Sequence, residues 1–321
     1  MNQAVDRSVW QGRVDALEGE LGARWHQRIA LADEHSRGGV ALLGFACDAG
    51  VQRNHGRIGA RAAPTQIRRF LANIPVPQNA VALWDAGDVR CEGDALESAQ
   101  AEFSARMAAL LAQGVFPIGL GGGHEIAYAS FGGLAEHLSR NAERAPNIGI
   151  INLDAHFDLR RDERASSGTP FLQIANECER RGWAFHYLCL GVSEFANTAA
   201  LFERARALGA NWRLDEQMQE RHLPEILAQV EAFIAPLDAI YLTIDLDVLP
   251  AAVAPGVSAP SALGVPLAVV EAVADCVCAS GKLRVADLAE FNPEFDVDGH
   301  TARVVARLAA RLVSRLEKKD E

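Results

Sequence analysis

Short, almost wholly apolar runs recur along the chain, and most lead into a longer stretch with helical periodicity. Gly39–Phe45, Val81–Trp84, Val115–Leu120, Ile148–Leu153, His186–Leu190, 210–214, Ala239–Ile244 and Leu283–Ala289 read as strands. Helical patterns fill 65–73, 95–113, 125–140, 170–182, 198–208, 222–235, 266–280 and 299–318. Runs this continuous suit strands buried on both faces, and their alternation with helices predicts an α/β fold with a mostly parallel sheet covered on both sides. A polar, helix-like arm is expected over residues 1–36 and a loop over Asp48 to Pro64, and the Val81–Trp84 strand is expected to end in Asp85-Ala-Gly-Asp88. No repeat, low-complexity tract or linker divides residues 37–321, so they are expected to form one domain.

Where several of the runs end, polarity changes abruptly. Ile148–Leu153 leads into Asp154-Ala-His156-Phe-Asp158, and Ala239–Ile244 into Asp245-Leu-Asp247. Alternate residues of an extended chain share a face, so each cluster aims its Asp and His side chains to one side. Val115–Leu120 leads into Gly121-Gly-Gly-His124-Glu125, where glycine permits a tight turn that brings His124 close to a neighbour. Taken singly, each cluster also fits a solvated strand end or a helix cap. Three in one chain, all at the ends of buried strands, point to a cation, because buried charge is costly without one. His124, Asp154, His156, Asp158, Asp245 and Asp247 give oxygen and nitrogen donors without cysteine. That is more than one tetrahedral zinc needs and suits a pair of harder ions, Mn²⁺ first. All three segments fall beyond the carboxyl ends of strands, where parallel sheets bind their ligands.

Composition narrows the class further. The 321 residues are 49% hydrophobic and 23% charged, ordinary for a globular chain with a large core. A net charge of −11 and a pI near 5.3 argue against a nucleic-acid partner. No basic segment followed by an apolar stretch opens the chain, and no run approaches the roughly 18 apolar residues of a membrane span. The six cysteines lack CxxC spacing and sit mostly in apolar runs, as reduced, buried thiols of a cytoplasmic protein do.

The order Gly-Gly-x-His, Asp-Ala-His-x-Asp, Thr-Ile-Asp-x-Asp resembles the ureohydrolases, the family of arginase, agmatinase and formimidoylglutamase, over Gly39 to Arg311. Asn54-His-Gly-Arg57-Ile-Gly-Ala60, Pro255-Gly-Val-Ser-Ala-Pro260, Glu290-Phe-Asn-Pro293 and Thr301-Ala-Arg303 extend the likeness. It implies a three-layer α/β/α fold, a homo-oligomer, and two Mn²⁺ ions per subunit used to hydrolyse a C–N bond of a small amidine or guanidine. By the same resemblance His124 and Asp158 would hold one ion, His156 and Asp247 the other, and Asp154 and Asp245 would bridge. Two such ions lower the pKa of a water molecule enough to make it nucleophilic near neutral pH. Glu290, at the end of a strand, can hold an amidinium by paired N–H···O bonds. Asp247 or Glu290 can help move a proton to the leaving nitrogen.

Departures choose the branch. Gly123 replaces the Asp usual before the first histidine of arginase and agmatinase, and Ser166-Ser-Gly-Thr-Pro170 stands where they carry a histidine in H-G-x-P. With Trp10-Gln-Gly-Arg-Val-Asp15 and Arg24-Trp-His-Gln27, these changes resemble the formimidoylglutamase branch. That implies conversion of N-formimidoyl-L-glutamate to L-glutamate and formamide, late in histidine breakdown. Arg160 stands where relatives use an uncharged residue toward the amino-acid part of the substrate, and a guanidinium there suits a dianionic tail. Arg57 is a second candidate. Arg161 and Arg164 are either further contacts or a solvated loop paired with Asp162 and Glu163. His55 and His300 are weak proton-transfer candidates, and Glu125 either orients His124 or favours a helix dipole. Two other functions stay open: release of urea from another guanidino acid or amine, and a non-catalytic metal-binding homologue. The missing loop histidine and Arg160 count against a cationic amine. Six intact ligands with Glu290 count against a scaffold.

Overall fold

Nine strands form one sheet in the computed structural model, which describes residues 7–77, 80–141 and 144–316. They are β1 (Ala30–Leu31), β2 (Val40–Ala46), β3 (Leu83–Arg90), β4 (Phe116–Leu120), β5 (Ile148–Leu153), β6 (His186–Val192), β7 (Asn211–Leu214), β8 (Ala239–Asp245) and β9 (Leu283–Ala289). Their order across the sheet is β1-β3-β2-β4-β9-β8-β5-β6-β7, and every neighbouring pair is parallel. The helices are α1 (Trp25–Arg28), α2 (Ala49–Arg53), α3 (Ala63–Leu71), α4 (Leu96–Ala112), α5 (Ile126–Asn141), α6 (Pro170–Arg181), α7 (Ala199–Ala207), α8 (Leu223–Ile234), α9 (Leu267–Ala279) and α10 (His300–Arg315).

Every residue of β5 and β8 is buried, which is why their sequences show no polar alternation. Ile67, Val230, Val273 and Val305 belong to the core on one face of the sheet, and Phe103, Met107, Phe171 and Leu201 to the core on the other. Three α/β/α layers result. Helix α10 shows how the layers close: Ala302, Val305, Ala306, Ala309, Leu312 and Val313 recur at helical spacing and are all buried. Proline opens α3, α6 and α8, where a missing N–H costs nothing, and Gly182 ends α6 in the left-handed region. No helix among the described residues is long and apolar enough to cross a membrane.

Two expectations need correction. The strand expected at Val81–Trp84 does not end in Asp85-Ala-Gly-Asp88, because β3 runs through these residues to Arg90. Asp85 is fully buried, yet it is saturated with donors. Its Oδ1 accepts from Gly87 N and Arg68 Nη2, and its Oδ2 from Arg68 Nε and Trp10 Nε1, at 2.7–2.9 Å. Arg68 also reaches Asp88 at 2.6 Å. A strand can carry a carboxylate when its partners are built in, and those partners lie far away in sequence. Over residues 7–36 the N-terminal segment is also not a helical arm, and residues 1–6 of that expectation lie outside the described residues. It holds 3-10 turns at Arg7–Val9 and Ala16–Gly22, the single turn α1, and the edge strand β1. Gly19, at φ 55°, breaks the helical path. Trp10 stacks on Trp25 at 6.5 Å and bonds Asp85, so tertiary contacts shape the segment. The loop from Asp48 to Pro64 also contains α2 and a 3-10 turn at Ala60–Ala62.

Arg68→Met should leave Asp85 buried without its charge partner. The expected loss is about 3–5 kcal/mol of stability, measured by urea denaturation. A loss below about 1 kcal/mol would mean that water compensates Asp85.

Candidate metal centre

The sheet order places β4, β9, β8 and β5 side by side. His124 follows β4, Glu290 follows β9, Asp245 ends β8, and Asp154 follows β5. Four neighbouring carboxyl ends therefore converge on one point. The glycine run before His124 threads between β2 and β9: Gly121 N donates to Leu288 O at 2.7 Å and Gly122 N to Phe45 O at 2.9 Å. A Cβ at Gly121 would stand 2.3 Å from Leu288 O, and at Gly122 2.0 Å from Cys47 O, so only glycine passes.

The ligand atoms fall into two sets that share Asp154. In the first, His124 Nδ1 lies 3.1 Å from Asp154 Oδ2 and 3.0 Å from both Asp158 Oδ2 and Asp245 Oδ2. In the second, His156 Nδ1 lies 3.5 Å from Asp154 Oδ1 and 3.0 Å from Asp247 Oδ2. The two oxygens of Asp154 thus face different sets, as a bridging carboxylate requires. Asp245 joins the first set, while its Oδ1 accepts Asp247 N at 2.8 Å. One imidazole nitrogen cannot donate to three oxygens, and His124 Nδ1 forms no hydrogen bond at all although it is buried. Donor atoms about 3 Å apart match the edge of a coordination shell with bonds of about 2.1 Å. Two divalent cations fit these residues.

Backbone and neighbours hold the cluster in place. Asp154 Oδ1 accepts His156 N at 2.7 Å, and its Oδ2 accepts Asn152 Nδ2 at 2.9 Å. Among the described residues, Asp158 (φ 48°), Glu290 (φ 66°) and His55 (φ 60°) are three of the four non-glycine residues with positive φ. Strain of about 1–3 kcal/mol at each such position is typical of functional sites.

Electrostatics expose the missing charge. Burial, followed by repulsion from Asp247 and Asp154, raises Asp245 well above the usual carboxylate range. Burial and then Asp154 push Asp158 up to about 6. Burial opposes a charged His124, but Asp154, Asp158 and Asp245 outweigh it and raise its pKa well above normal. Asp154 is held low, because His124 and His156 outweigh its burial. Glu290 is pushed up to about 8 by burial and then by Glu125 and Asp247. Among the described residues, the ion pairs of these aspartates are with His124 and His156 alone.

A cavity of about 300 Å³ opens onto the cluster, lined by His156, Asp158, Asp245, Asp247, Glu290 and Arg160, with Asn54, His55, Arg57, Ser167 and Ser258 among its walls. Glu290 Oε1 accepts His124 N at 2.9 Å, while its Oε2 and Asp247 Oδ1 have no hydrogen-bond partner. Arg160 is exposed, and Gly168 leaves it room: a Cβ there would stand 2.7 Å from Arg160 Cδ. Arg57 donates from Nε to Ser258 O at 3.0 Å and from Nη2 to Val257 O, and its guanidinium lies 4.1 Å from the Phe295 ring centre. Arg164 pairs with Asp94 at 2.5 Å, outside the acidic neighbours expected for it. His55 lies at the rim, whereas His300 lies exposed at the start of α10 and is not among the cavity's lining residues. Glu125 accepts Gly50 N at 2.9 Å, and the residue touching His124 Nε2 is Thr243, at 3.0 Å. Thr243, Asn54 and Ser258 stand within the family-like motifs without a role assigned to them there, and Asn152 was not singled out. Thr243 and Asn152 sit two residues before Asp245 and Asp154, so period-2 alternation was the signal available for them.

Residues 38–314 match the profile described as the Arginase family. A protein of Ralstonia nicotianae called formimidoylglutamase is 62% identical over 310 residues, covering 96% of this chain and 95% of that one. A formimidoylglutamase of Chromobacterium violaceum is 51% identical over 314 residues, covering 98% and 100%. The crystal structure of Trypanosoma cruzi formiminoglutamase with Mn2+2 superposes with a TM-score of 0.80 at 23% identity, covering 93% of this chain and 100% of that one. At that identity the likeness is one of fold.

Protons and metal should compete for the cluster. Asp158 carries its proton below about 6 and is free to ligate above it, so Mn²⁺ affinity should fall as the pH drops from 7 to 5. Calorimetric titration across that range checks it; affinity that is flat with pH would exclude these carboxylates as ligands.

Proposed function

The chain belongs to the arginase family and is a hydrolase of carbon–nitrogen bonds, and we propose that it cleaves N-formimidoyl-L-glutamate to L-glutamate and formamide with two Mn²⁺ ions per subunit. The observation that carries this reading is that unpartnered carboxylate oxygens and a guanidinium line one cavity of about 300 Å³. The substrate has the matching polarity, an amidinium at one end and two carboxylates at the other. Relatives called formimidoylglutamase, at 62% and 51% identity, support it.

His124, Asp154, Asp158 and Asp245 would hold one ion, and Asp154, His156 and Asp247 the other. Bound there, the ions supply Lewis-acid charge and make water nucleophilic near neutral pH. Glu290 spends Oε1 on the His124 amide and keeps Oε2 for an amidinium N–H. Burial, and then repulsion from Glu125 and Asp247, raise this carboxyl to about 8, and a cationic substrate would offset both. Asp247 Oδ1, buried and unpartnered, is available to pass a proton to the leaving nitrogen, with Glu290 as the other candidate. Arg160 binds the glutamyl carboxylates across the cavity. Arg57 commits two nitrogens to backbone carbonyls, so it chiefly shapes the wall beside Ser258 and contributes charge to the tail. This assignment carries with it the family's wider implications: a homo-oligomer, a cytoplasmic location and a late step of histidine breakdown.

The decisive assay gives metal-stripped, Mn²⁺-reconstituted protein N-formimidoyl-L-glutamate. Glutamate and formamide should appear in equal amounts and vanish in Asp154→Asn. Urea from guanidino compounds instead would keep the metal centre and overturn the substrate. Arg160→Ala should raise KM about 10- to 100-fold, the worth of a charged hydrogen bond, with a smaller change in kcat. An unchanged KM would remove Arg160 from the substrate's path.

A further inference from the structure

Three segments far apart in sequence meet at one guanidinium. The side chain of Arg53, the last residue of α2, is 8% exposed, although the two acids it pairs with, Asp94 and Glu97, are 52% and 61% exposed. Its Nε donates to Asp94 Oδ1 at 2.6 Å and its Nη2 to Asp94 O at 2.8 Å. Nη1 and Nη2 also grip the two oxygens of Glu97, at 2.7 and 3.2 Å. The remaining N–H, on Nη1, goes to Ala165 O at 2.9 Å. All five donors of the planar fork are thereby engaged. Four of the bonds hold the guanidinium at the head of α4, where Asp94 precedes the helix and Glu97 lies in its first turn. The fifth reaches the loop between β5 and α6, which an ion pair by itself does not require.

That loop leaves the ligand cluster at Asp158 and carries Arg160. Arg160 N donates to Gly168 O at 2.8 Å, so residues 161–167 form an excursion closed at its neck by a backbone bond, and residues 161–164 are exposed. The excursion is tied on the side of Arg53: Arg164 donates to Asp94 at 2.5 Å, and Asn54 Nδ2 donates to Ser167 Oγ at 3.2 Å. A Cβ at Gly168 would stand 2.7 Å from Arg160 Cδ and 3.2 Å from Asn54 Nδ2, so Arg160 and Asn54 close on the same glycine. Asn54, His55 and Arg57 form one stretch of the cavity wall, and Arg160 and Ser167 another. Arg53 joins the two.

We propose that Arg53 is a positioning residue: by holding the Ala165 carbonyl it sets how far Arg160 stands from the metal cluster, and so selects the length of the dianionic tail that the cavity accepts. This rests on the reading of Arg160 as the residue that binds the glutamyl carboxylates. A guanidinium–carboxylate contact is directional, and a shift of about 1 Å removes much of its worth. Arg160 is exposed, so the loop that carries it, and not packing around its side chain, must fix its place. Lysine would bring the charge with three donors and no planar fork, too few to serve all three segments. An ion pair that merely stapled α2 to α4 would affect stability without affecting which tail is preferred.

The test compares full-length, Mn²⁺-loaded wild type, Arg53→Met, Arg160→Ala and the double variant on N-formimidoyl-L-glutamate and on its aspartate homologue, one methylene shorter. Arg53→Met should raise KM for the glutamate compound about 10-fold while kcat stays within about 3-fold, because tail placement and not the metal centre is disturbed. Its preference for the longer tail should fall by about the same factor, with wild-type metal content. The double variant should show no higher KM than Arg160→Ala, because the two residues act in series. If Arg53→Met does not fold, Asp94→Asn with Glu97→Gln, both at exposed positions, removes the anchor instead and should shift the preference the same way. Wild-type KM and tail preference in the variant that folds, or a KM effect that multiplies in full with that of Arg160→Ala, would overturn the positioning role and leave the substrate reading intact. A wild-type chain that does not turn over N-formimidoyl-L-glutamate would overturn that reading and the positioning role with it.

Discussion

Negative charge that the protein does not itself compensate, gathered at the carboxyl end of four adjacent strands, is the constraint on which the rest depends. Asp154, Asp245 and Asp247 are buried within 4.8 Å of the other atoms of their sets. Such a group is stable only with protons or cations present. The protein gives it fixed geometry instead of fixed counter-charge: backbone amides hold Asp154 and Asp245 in place and leave oxygens pointing into the gap.

Comparison with the other buried carboxylates sharpens the point. Asp85 is neutralised by Arg68 and saturated by Trp10 and Gly87. Asp287 is solvated by hydroxyls, and Glu125 takes the Gly50 amide. Each has a guanidinium, hydroxyl or amide partner inside the fold, although Asp287 Oδ1 and Glu125 Oε2 are left without one. At the metal cluster the partners are other carboxylates and two histidines, so the balancing charge must arrive from outside. That difference, more than acidity itself, separates a structural aspartate from a ligand here.

The same economy appears in the backbone. Glycine occurs where strand and ligand must approach closely, at 119, 121, 122 and 168, and left-handed φ occurs at Asp158, Glu290 and His55 where side chains must turn into the cavity. The sheet, with apolar layers on both faces, is rigid enough to carry this local strain. Carboxylates and the Arg160 guanidinium then line one small cavity.

Much of this was legible in the chain alone. Alternating apolar runs determined the parallel α/β architecture, because strands buried on both faces tolerate few polar residues. Period-2 Asp and His at strand ends picked out the side chains that the fold gathers into two clusters, because side-chain direction in an extended chain is local. What tertiary structure decided was everything that depends on strand order. Only the sequence β4-β9-β8-β5 across the sheet brings His124, Glu290, Asp245 and Asp154 together. Asp85 lay hidden because its partners Arg68 and Trp10 are 17 and 75 residues away. Thr243 and Asp287 lay hidden because they meet only as register partners on β8 and β9. Local periodicity tells which way a side chain points; which strand it faces is set by long-range packing.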